Sequence, residues 1–430
     1  MDFKAGEVVY MVGIGGIGMS ALAQLLKARG LSVSGSDRAP SPATKLLNDQ
    51  GIDVYIGHDV QNMPEHLDVL VYSDAVAEDN PERARARARG VPELSYFEAL
   101  GEVSRDYYTI AISGTHGKTT TTAMLAKMLV DAKVEPTVVV GSIMKDFGSN
   151  FVVGNEDAPF IIEACEYRDH LLELSPTILV VTNLEWDHTD YFTTFDQLKE
   201  TFKRAIEQLP EDGALVINVE SPIGKELATH ARCRVINYAD VAVPELPLLG
   251  EFNVMNAKSA KTAALAYDES LAPDMLDQSL RDFAGTWRRF EYRGKAAHGA
   301  LVYDDYAHHP TAVHATLNAV REKFPTHSIV AAFHPHLYSR TRDLMDDFAH
   351  SFVGANHVIV APIYAAREAP MPGVTSEVLA ERITAAGTPA VAVDSLDSVL
   401  AVFTPHDAPN TVFITMGAGD IYKVAERLVG

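Results

Sequence analysis

The chain has 430 residues, 47% of them hydrophobic and 22% charged, a balance that argues against whole-chain disorder and against a fibrous repeat. At roughly 150 residues per domain, that length predicts about three domains, each able to bury a core without disulfide staples. Asp and Glu outnumber Lys and Arg by 58 to 36, and the net charge of −22 argues against a nucleic-acid partner. It also leaves any polyanionic substrate to a few local cations and backbone N–H groups.

Two cysteines, Cys165 and Cys233, rule out a disulfide framework and fit a reducing compartment. Residues 1–6 carry no apolar run of signal-peptide length, and no stretch reaches about 18 uncharged apolar residues, so the expected location is cytoplasmic, away from membranes. The expected assembly state is a monomer or weak homodimer.

In chain order, short β-branched runs at 8–12, 69–72, 109–113, 138–140, 160–163, 178–182, 215–218, 329–333, 358–361, 390–393 and 411–415 alternate with helix-like stretches. Sustained alternation predicts an α/β architecture of parallel sheets covered on both faces. The 8–12 strand runs into Gly13-Ile14-Gly15-Gly16-Ile17-Gly18-Met19 and then a helix over 20–29. Gly13, Gly15 and Gly18 fit the dinucleotide fingerprint, in which glycines let the backbone approach a diphosphate at a helix N-terminus. Asp37, 19 residues after Gly18, stands where a carboxylate accepts a ribose hydroxyl. Read alone, this loop says NAD, yet any diphosphate beside a ribose uses the same physics. Further on, Arg83, Arg85, Arg87 and Arg89 alternate with alanine, which spreads them around a helix as a solvated surface.

After a break near residue 105, the 109–113 strand leads into Gly114-Thr115-His116-Gly117-Lys118-Thr119 and a threonine-rich helix over 120–131. This is a shortened phosphate loop: backbone N–H groups cradle phosphates, Lys118 reaches the β and γ phosphates, and the Thr119 hydroxyl can ligate Mg²⁺. Two such loops in one chain point to a nucleotide-linked substrate on the first domain and ATP on the second. Glu163 ends the next apolar strand, and Asn183-Leu184-Glu185-Trp186-Asp187-His188 follows the one after it, both at carboxyl strand ends where ligands collect. Glu163 with Thr119 makes an oxygen set for Mg²⁺, with His188 near a second ion or the transferring phosphate. Asp304-Asp305-Tyr306-Ala307-His308-His309-Pro310 follows a strand at 301–303, and Pro310 suits the first turn of a helix. His334, His336, Tyr338 and Arg340 follow the 329–333 strand in the same way. The expected domains are 1–105, 106–290 and 291–430.

Together these residues resemble the Mur ligase family, and within it the alanine-adding branch. The likeness runs over essentially the whole chain. It rests on 13–19 with Gly35-Ser36-Asp37, on Asp79-Asn80-Pro81-Glu82, on 114–119, on 182–188, on Arg288-Arg289-Phe290-Glu291, on 304–310 and on Ser339-Arg340-Thr341-Arg342-Asp343. The resemblance implies an N-terminal Rossmann-like domain, a central P-loop ATPase-like domain and a C-terminal Rossmann-like domain that receives an amino acid. It implies ATP, UDP-N-acetylmuramate and L-alanine as small-molecule substrates, Mg²⁺ as cofactor, and an amide made through an acyl phosphate. Gly13, Gly15, Gly16, Gly18, Met19, Asp37 and Ser73 would hold the UDP-sugar. Lys118 would contact the ATP phosphates, within a loop of Gly114, Thr115, His116, Gly117 and Thr119. Asn253 and Asn256 would contact adenine, while Arg289 and Asp305 would bind phosphates and ribose. Thr119 and Glu163 would hold one Mg²⁺ with His188 at the second, and His308 and Arg340 would face the amino acid. The chain departs from the branch at Cys165, Tyr167 and Arg168, at Phe252 where His is usual, and at Leu337, where an Arg that would hold the amino-acid carboxylate is usual.

Overall fold

Every apolar run named above becomes a strand in the computed structural model, which describes residues 3–366 and 368–430. The strands sort into three sheets. The first is β1 (Val8–Val12), β2 (Ser32–Asp37), β3 (Asp53–Ile56), β4 (Val69–Tyr72) and β5 (Glu93–Ser95), in the order β3-β2-β1-β4-β5, all parallel. Helices α1 (Ile17–Ala28), α2 (Pro42–Asp49), α3 (Pro81–Ala88) and α4 (Tyr96–Ser104) connect these strands or close the unit. Chain order reverses between β1 and β4, so the first glycine loop opens at the switch point, where open α/β sheets bind ligands.

Helix α3 explains the 79–82 motif. Asn80 caps it and Pro81 begins it, which delivers Glu82, fully buried, to the Tyr10 hydroxyl at 2.7 Å and the Ser36 hydroxyl at 2.6 Å. The arginines that follow correct the expectation of a solvated face. Arg83 is buried, with Nε 3.0 Å from Glu93 and its guanidinium 3.5 Å over the Tyr72 ring. Arg87 also pairs with Glu93 at 2.9 Å, and Arg89 donates to the carbonyls of Pro64 and Glu65. Neighbouring strand and turn acceptors, invisible in a linear pattern, turn three of the four into clamps.

The second sheet comprises β6 (Thr109–Ser113), β7 (Thr137–Met144), β8 (Ser149–Val152), β9 (Phe160–Glu163), β10 (Ile178–Val181), β11 (Ala214–Ile217) and β12 (Arg234–Asn237). Its order is β12-β11-β10-β6-β9-β7-β8, parallel except for the β7/β8 pair. Strand β6, buried along its whole length, lies between β10 and β9 and feeds α5 (Lys118–Asp131). The third sheet is β13 (Glu291–Lys295), β14 (Leu301–Asp305), β15 (Ser328–Phe333), β16 (His357–Val360), β17 (Ala390–Ala392) and β18 (Thr411–Met416), in the order β13-β14-β18-β15-β16-β17. Only β13 runs antiparallel to its neighbour. Alternate residues of β15 feed two cores: Ile329, Ala331 and Phe333 pack with Phe348 and Phe352, while Val330 and Ala332 pack with Phe403 and Phe413.

The chain divides into two compact units. One runs to Leu184 and takes in Lys199–Pro244 and Asn256–Ala284, so it carries the first two sheets; the other is Glu185–Leu198, Glu245–Met255 and Gly285–Gly430, with the third. Among the described residues, no helix is long and apolar enough to cross a membrane.

Candidate active site

The second loop is built by register. Because Ile112 of β6 pairs with Glu163 of β9 and Ser113 with Val181 of β10, the segment after β6 emerges between Glu163 on one side and Thr182-Asn183 on the other. Asn183 straps the loop: its side chain accepts from the His116 N–H at 2.9 Å and donates to the His116 carbonyl at 2.9 Å. The Thr182 hydroxyl donates to that carbonyl at 2.6 Å. Gly114 has φ +125° and Gly117 φ +85°, and a Cβ on Gly117 would lie 2.1 Å from Asn256 Oδ1. The loop therefore needs glycine for conformation and for space, and Asn256 lies against it.

Lys118 opens α5 and folds back. Its ammonium donates to the carbonyls of Gly114 and Thr115 and lies 3.1 and 3.0 Å from the two oxygens of Glu166, which is 1% exposed. Burial disfavours the charged lysine, but Glu166, with Cys165 and Glu163, raises its pKa above the ordinary lysine value. Glu166 has no sequence-derived role; the polar run straight after β9 is the signal that could have found it. Replacing it with glutamine leaves Lys118 without its counter-ion. We expect Glu166→Gln to lower the thermal midpoint of the ligand-free protein, and added ATP to raise that midpoint more than in the wild type. Cys165, beside this pair, has its thiol pushed up to about 12 by burial and by Glu166, so it stays protonated and is no nucleophile.

The Thr119 hydroxyl donates to Glu163 Oε1 at 2.8 Å, and the other Glu163 oxygen accepts the Gly141 N–H at 2.7 Å. A hydroxyl and a carboxylate meeting at a phosphate loop are the hard oxygen donors Mg²⁺ takes, so these residues fit that ion. His188, with φ 52°, belongs to the 185–198 segment of the other unit, where its N–H donates to Asp187 at 2.6 Å. Lys203, in the helix Phe195–Glu207, pairs at 3.4 Å with Glu200 of the same helix.

The first loop turns tightly, with the Gly16 N–H on the Gly13 carbonyl at 3.2 Å. A Cβ on Gly13 would lie 3.0 Å from Cβ of Ser73, which places Ser73 at the loop. Helix α1 starts at Ile17, earlier than expected, so first-turn N–H groups of Ile17, Gly18 and Met19 lie at its open end, while the Met19 side chain is buried. Asp37 stands at the loop, as expected. One carboxylate oxygen accepts the Gly15 N–H at 2.8 Å and the other the Ala39 N–H at 3.3 Å, so it braces the loop and keeps a lone pair on each oxygen.

In the other unit, Arg340 is 2% exposed, with Nε and Nη2 at 2.8 and 2.7 Å from Asp187 Oδ1 and Nη1 3.0 Å from His336 Nδ1. Burial pulls the Asp187 carboxyl upward, but Arg340, with His188, His308 and His309, holds it well below the usual carboxylate range. Arg340 is thus anchored by Asp187 and His336, which take three of its five N–H donors. His308 Nδ1 lies 2.9 Å from the Tyr306 carbonyl, which assigns the proton to Nδ1 and leaves a lone pair on Nε2. Burial and then Arg340 keep this imidazole neutral.

Asp305 is buried and accepts the Thr316 hydroxyl at 2.5 Å, and burial raises its pKa. Arg289 lies 4.8 Å over the Tyr306 ring. Asn253, 3% exposed, donates from its amide to the Leu249 carbonyl at 2.7 Å. Arg288 has the stronger structural role, joining Asp304 at 2.8 Å to the carbonyls of Gly417 and Gly419 at 2.6 and 2.9 Å. Pro310 begins the helix Pro310–Lys323 as expected.

Three sheets, a strapped phosphate loop and a threonine–carboxylate pair define an ATP-using α/β enzyme. Its residues 8–108 match the Mur ligase family, catalytic domain; 112–243 match the Mur ligase middle domain; 288–419 match the Mur ligase, glutamate ligase domain. The chain belongs to the Mur ligase family. It is 36% identical to the UDP-N-acetylmuramate--L-alanine ligase of Clostridium acetobutylicum, over 98% of this chain and 97% of that one. It is also 36% identical to the enzyme of that name from Lachnospira eligens, over 100% and 99%. The UDP-N-acetylmuramate-alanine ligase of Thermotoga maritima shares the fold at a TM-score of 0.80 with 27% identity, covering 98% of each chain. A murein peptide ligase of Psychrobacter arcticus shares the fold at 0.72 with 23% identity.

Proposed function

We propose that this protein is an ATP-dependent ligase that joins L-alanine to the lactyl carboxylate of UDP-N-acetylmuramate, in the synthesis of peptidoglycan precursors. The observation that carries the reading is the Lys118-Thr119 loop with Glu163 on the Thr119 hydroxyl, in a chain that matches alanine-adding relatives from end to end. A carboxylate does not acylate an amine in water without activation. ATP supplies it: a carboxylate oxygen attacks the γ-phosphorus, ADP leaves, and the amine then displaces phosphate from the acyl phosphate.

Lys118 serves the first step. Its charge is already paid for by Glu166, so on meeting the phosphates it exchanges loop carbonyls for phosphate oxygens and stabilises the charge moving towards the leaving group. Thr119 and Glu163 would hold Mg²⁺, which when bound neutralises phosphate charge; His188 keeps the assignment to a second ion that the resemblance implies. The N–H groups at the start of α1, with Ser73, would take the diphosphate and sugar. The amine attacks in its neutral form, and His308, uncharged with its Nε2 lone pair available, is the proposed acceptor of the proton that the nitrogen sheds as it bonds to the acyl carbon.

Leu337 favours keeping a second amine in view. It is 2% exposed with φ +71°, so its side chain belongs to the core and supplies no cation for an amino-acid carboxylate. The test is phosphate release from ATP with UDP-N-acetylmuramate and, in turn, L-alanine, L-serine, glycine and the recycled tripeptide. L-Alanine should stimulate most. A stronger response to the tripeptide would move the chain to the recycling reaction, and no response to any amine would end the ligase reading.

A further inference from the structure

Gly18 ends the first loop, and nothing larger fits there: a Cβ would lie 2.7 Å from both Cζ and the hydroxyl oxygen of Tyr96. Tyr96 is the first residue of α4, and the helix start is fixed by reciprocal capping between Ser95 and Glu98. The ring meets Phe97 edge-on at 4.7 Å; Phe97 stacks on His170 at 3.7 Å, and His170 pairs with Asp74 at 2.9 Å. Asp74 follows Ser73 at the rim of the first loop. These residues belong to one compact unit, in which Phe97 links the phenol to His170, after β9 of the second sheet.

Its hydroxyl is placed at the first loop. Gly18 and the open N-terminus of α1 lie beside it, and burial, followed by the charge of Glu163, raises the phenol's pKa, which keeps it a protonated donor. Among the described residues, no group is hydrogen-bonded to this hydroxyl. A half-buried hydroxyl with no protein acceptor is a donor that a ligand oxygen can take up in place of water. Resting on the reading of the first loop as the sugar-nucleotide site, we infer that Tyr96 is a further substrate-contacting residue, donating its hydroxyl hydrogen bond to an anionic oxygen of the sugar nucleotide. That oxygen belongs either to the diphosphate or to the carboxylate that is to be activated.

Tyr96→Phe keeps the ring against Gly18 and Phe97 and removes only the donor. In steady-state phosphate release, kcat/KM for UDP-N-acetylmuramate should fall about tenfold to a hundredfold, the loss expected for a hydrogen bond to a charged group. KM for ATP and for L-alanine should stay within about twofold, and the thermal midpoint should be unchanged, whereas a packing role would move the midpoint and spare the kinetics. Titration with UDP alone separates the two oxygens: weakened UDP binding assigns the diphosphate, and unchanged UDP binding with reduced kcat/KM assigns the carboxylate. A kcat/KM within about twofold of wild type overturns the inference. Absence of sugar-dependent phosphate release in the unsubstituted enzyme would instead overturn the proposed function, and this inference with it.

Discussion

Lys118→Ala is expected to cut ATP-dependent phosphate release by about a hundredfold to a thousandfold, the range for losing one preorganised charge-stabilising group, while UDP-sugar affinity stays near wild type. The two effects separate because the loops stand on different sheets: Lys118 follows β6, and the sugar-nucleotide loop follows β1. The structure adds a second consequence. Removing the ammonium leaves Glu166, 1% exposed, without its cation, so some loss of stability accompanies the loss of activity. Isothermal titration with the UDP-sugar and a thermal melt, run beside the phosphate assay, distinguish the two. If UDP-sugar affinity falls as steeply as turnover, the division of labour between the loops is wrong. Glu166→Gln in the Lys118→Ala background should recover the stability without recovering the activity, because it removes the stranded carboxylate but supplies no charge for the phosphates.

Arg340→Met is expected to destabilise the unit built on the third sheet by about 3–5 kcal/mol, the loss typical of breaking a buried ion pair by removing one partner. Arg340 and Asp187 are 3% and 5% exposed, so solvent screens little of their interaction. Asp187→Asn in the same background should recover part of the loss, since an amide costs less to bury than an unpaired carboxylate; urea unfolding of the two single variants and the double closes the cycle. The pH dependence has a definite sign. Asp187 has a depressed pKa in the folded protein, so the pair's contribution is fully present above the ordinary aspartate value of about 3.9 and is lost as pH falls through the folded value. Arg340→Met should therefore narrow the gap to wild type in acid. Equal destabilisation at neutral pH and well below pH 4 would contradict the assignment.

The central strands were legible because they are buried on both faces: β1, β10 and β11 are apolar throughout, and β6 is apolar between its terminal Thr109 and Ser113. Five of the six edge strands, β3, β5, β8, β12 and β13, gave no comparable run, since a strand at the rim keeps exposed and polar positions; β3 is mostly exposed and β12 has no buried residue. Helix starts were read late for a related reason. Helix α1 begins at Ile17 and α5 at Lys118, inside the glycine loops, where composition suggests turn while backbone geometry is already helical.

Within the site, the sequence by itself determined the chemistry-bearing positions. Strand, glycine loop and helix are contiguous in the chain, so Lys118, Thr119 and the α1 N-terminus are local facts, and the net charge of −22 already required that anions be held by backbone N–H groups and few cations. What those groups touch was decided only by the tertiary structure. Asp37 turned to the Gly15 N–H, Arg340 to Asp187, Asp305 to Thr316, and Lys118 to Glu166. Each pairing joins residues that are adjacent in space and apart in sequence, and a polar group being buried takes whichever partner the packed sheets bring within hydrogen-bond reach.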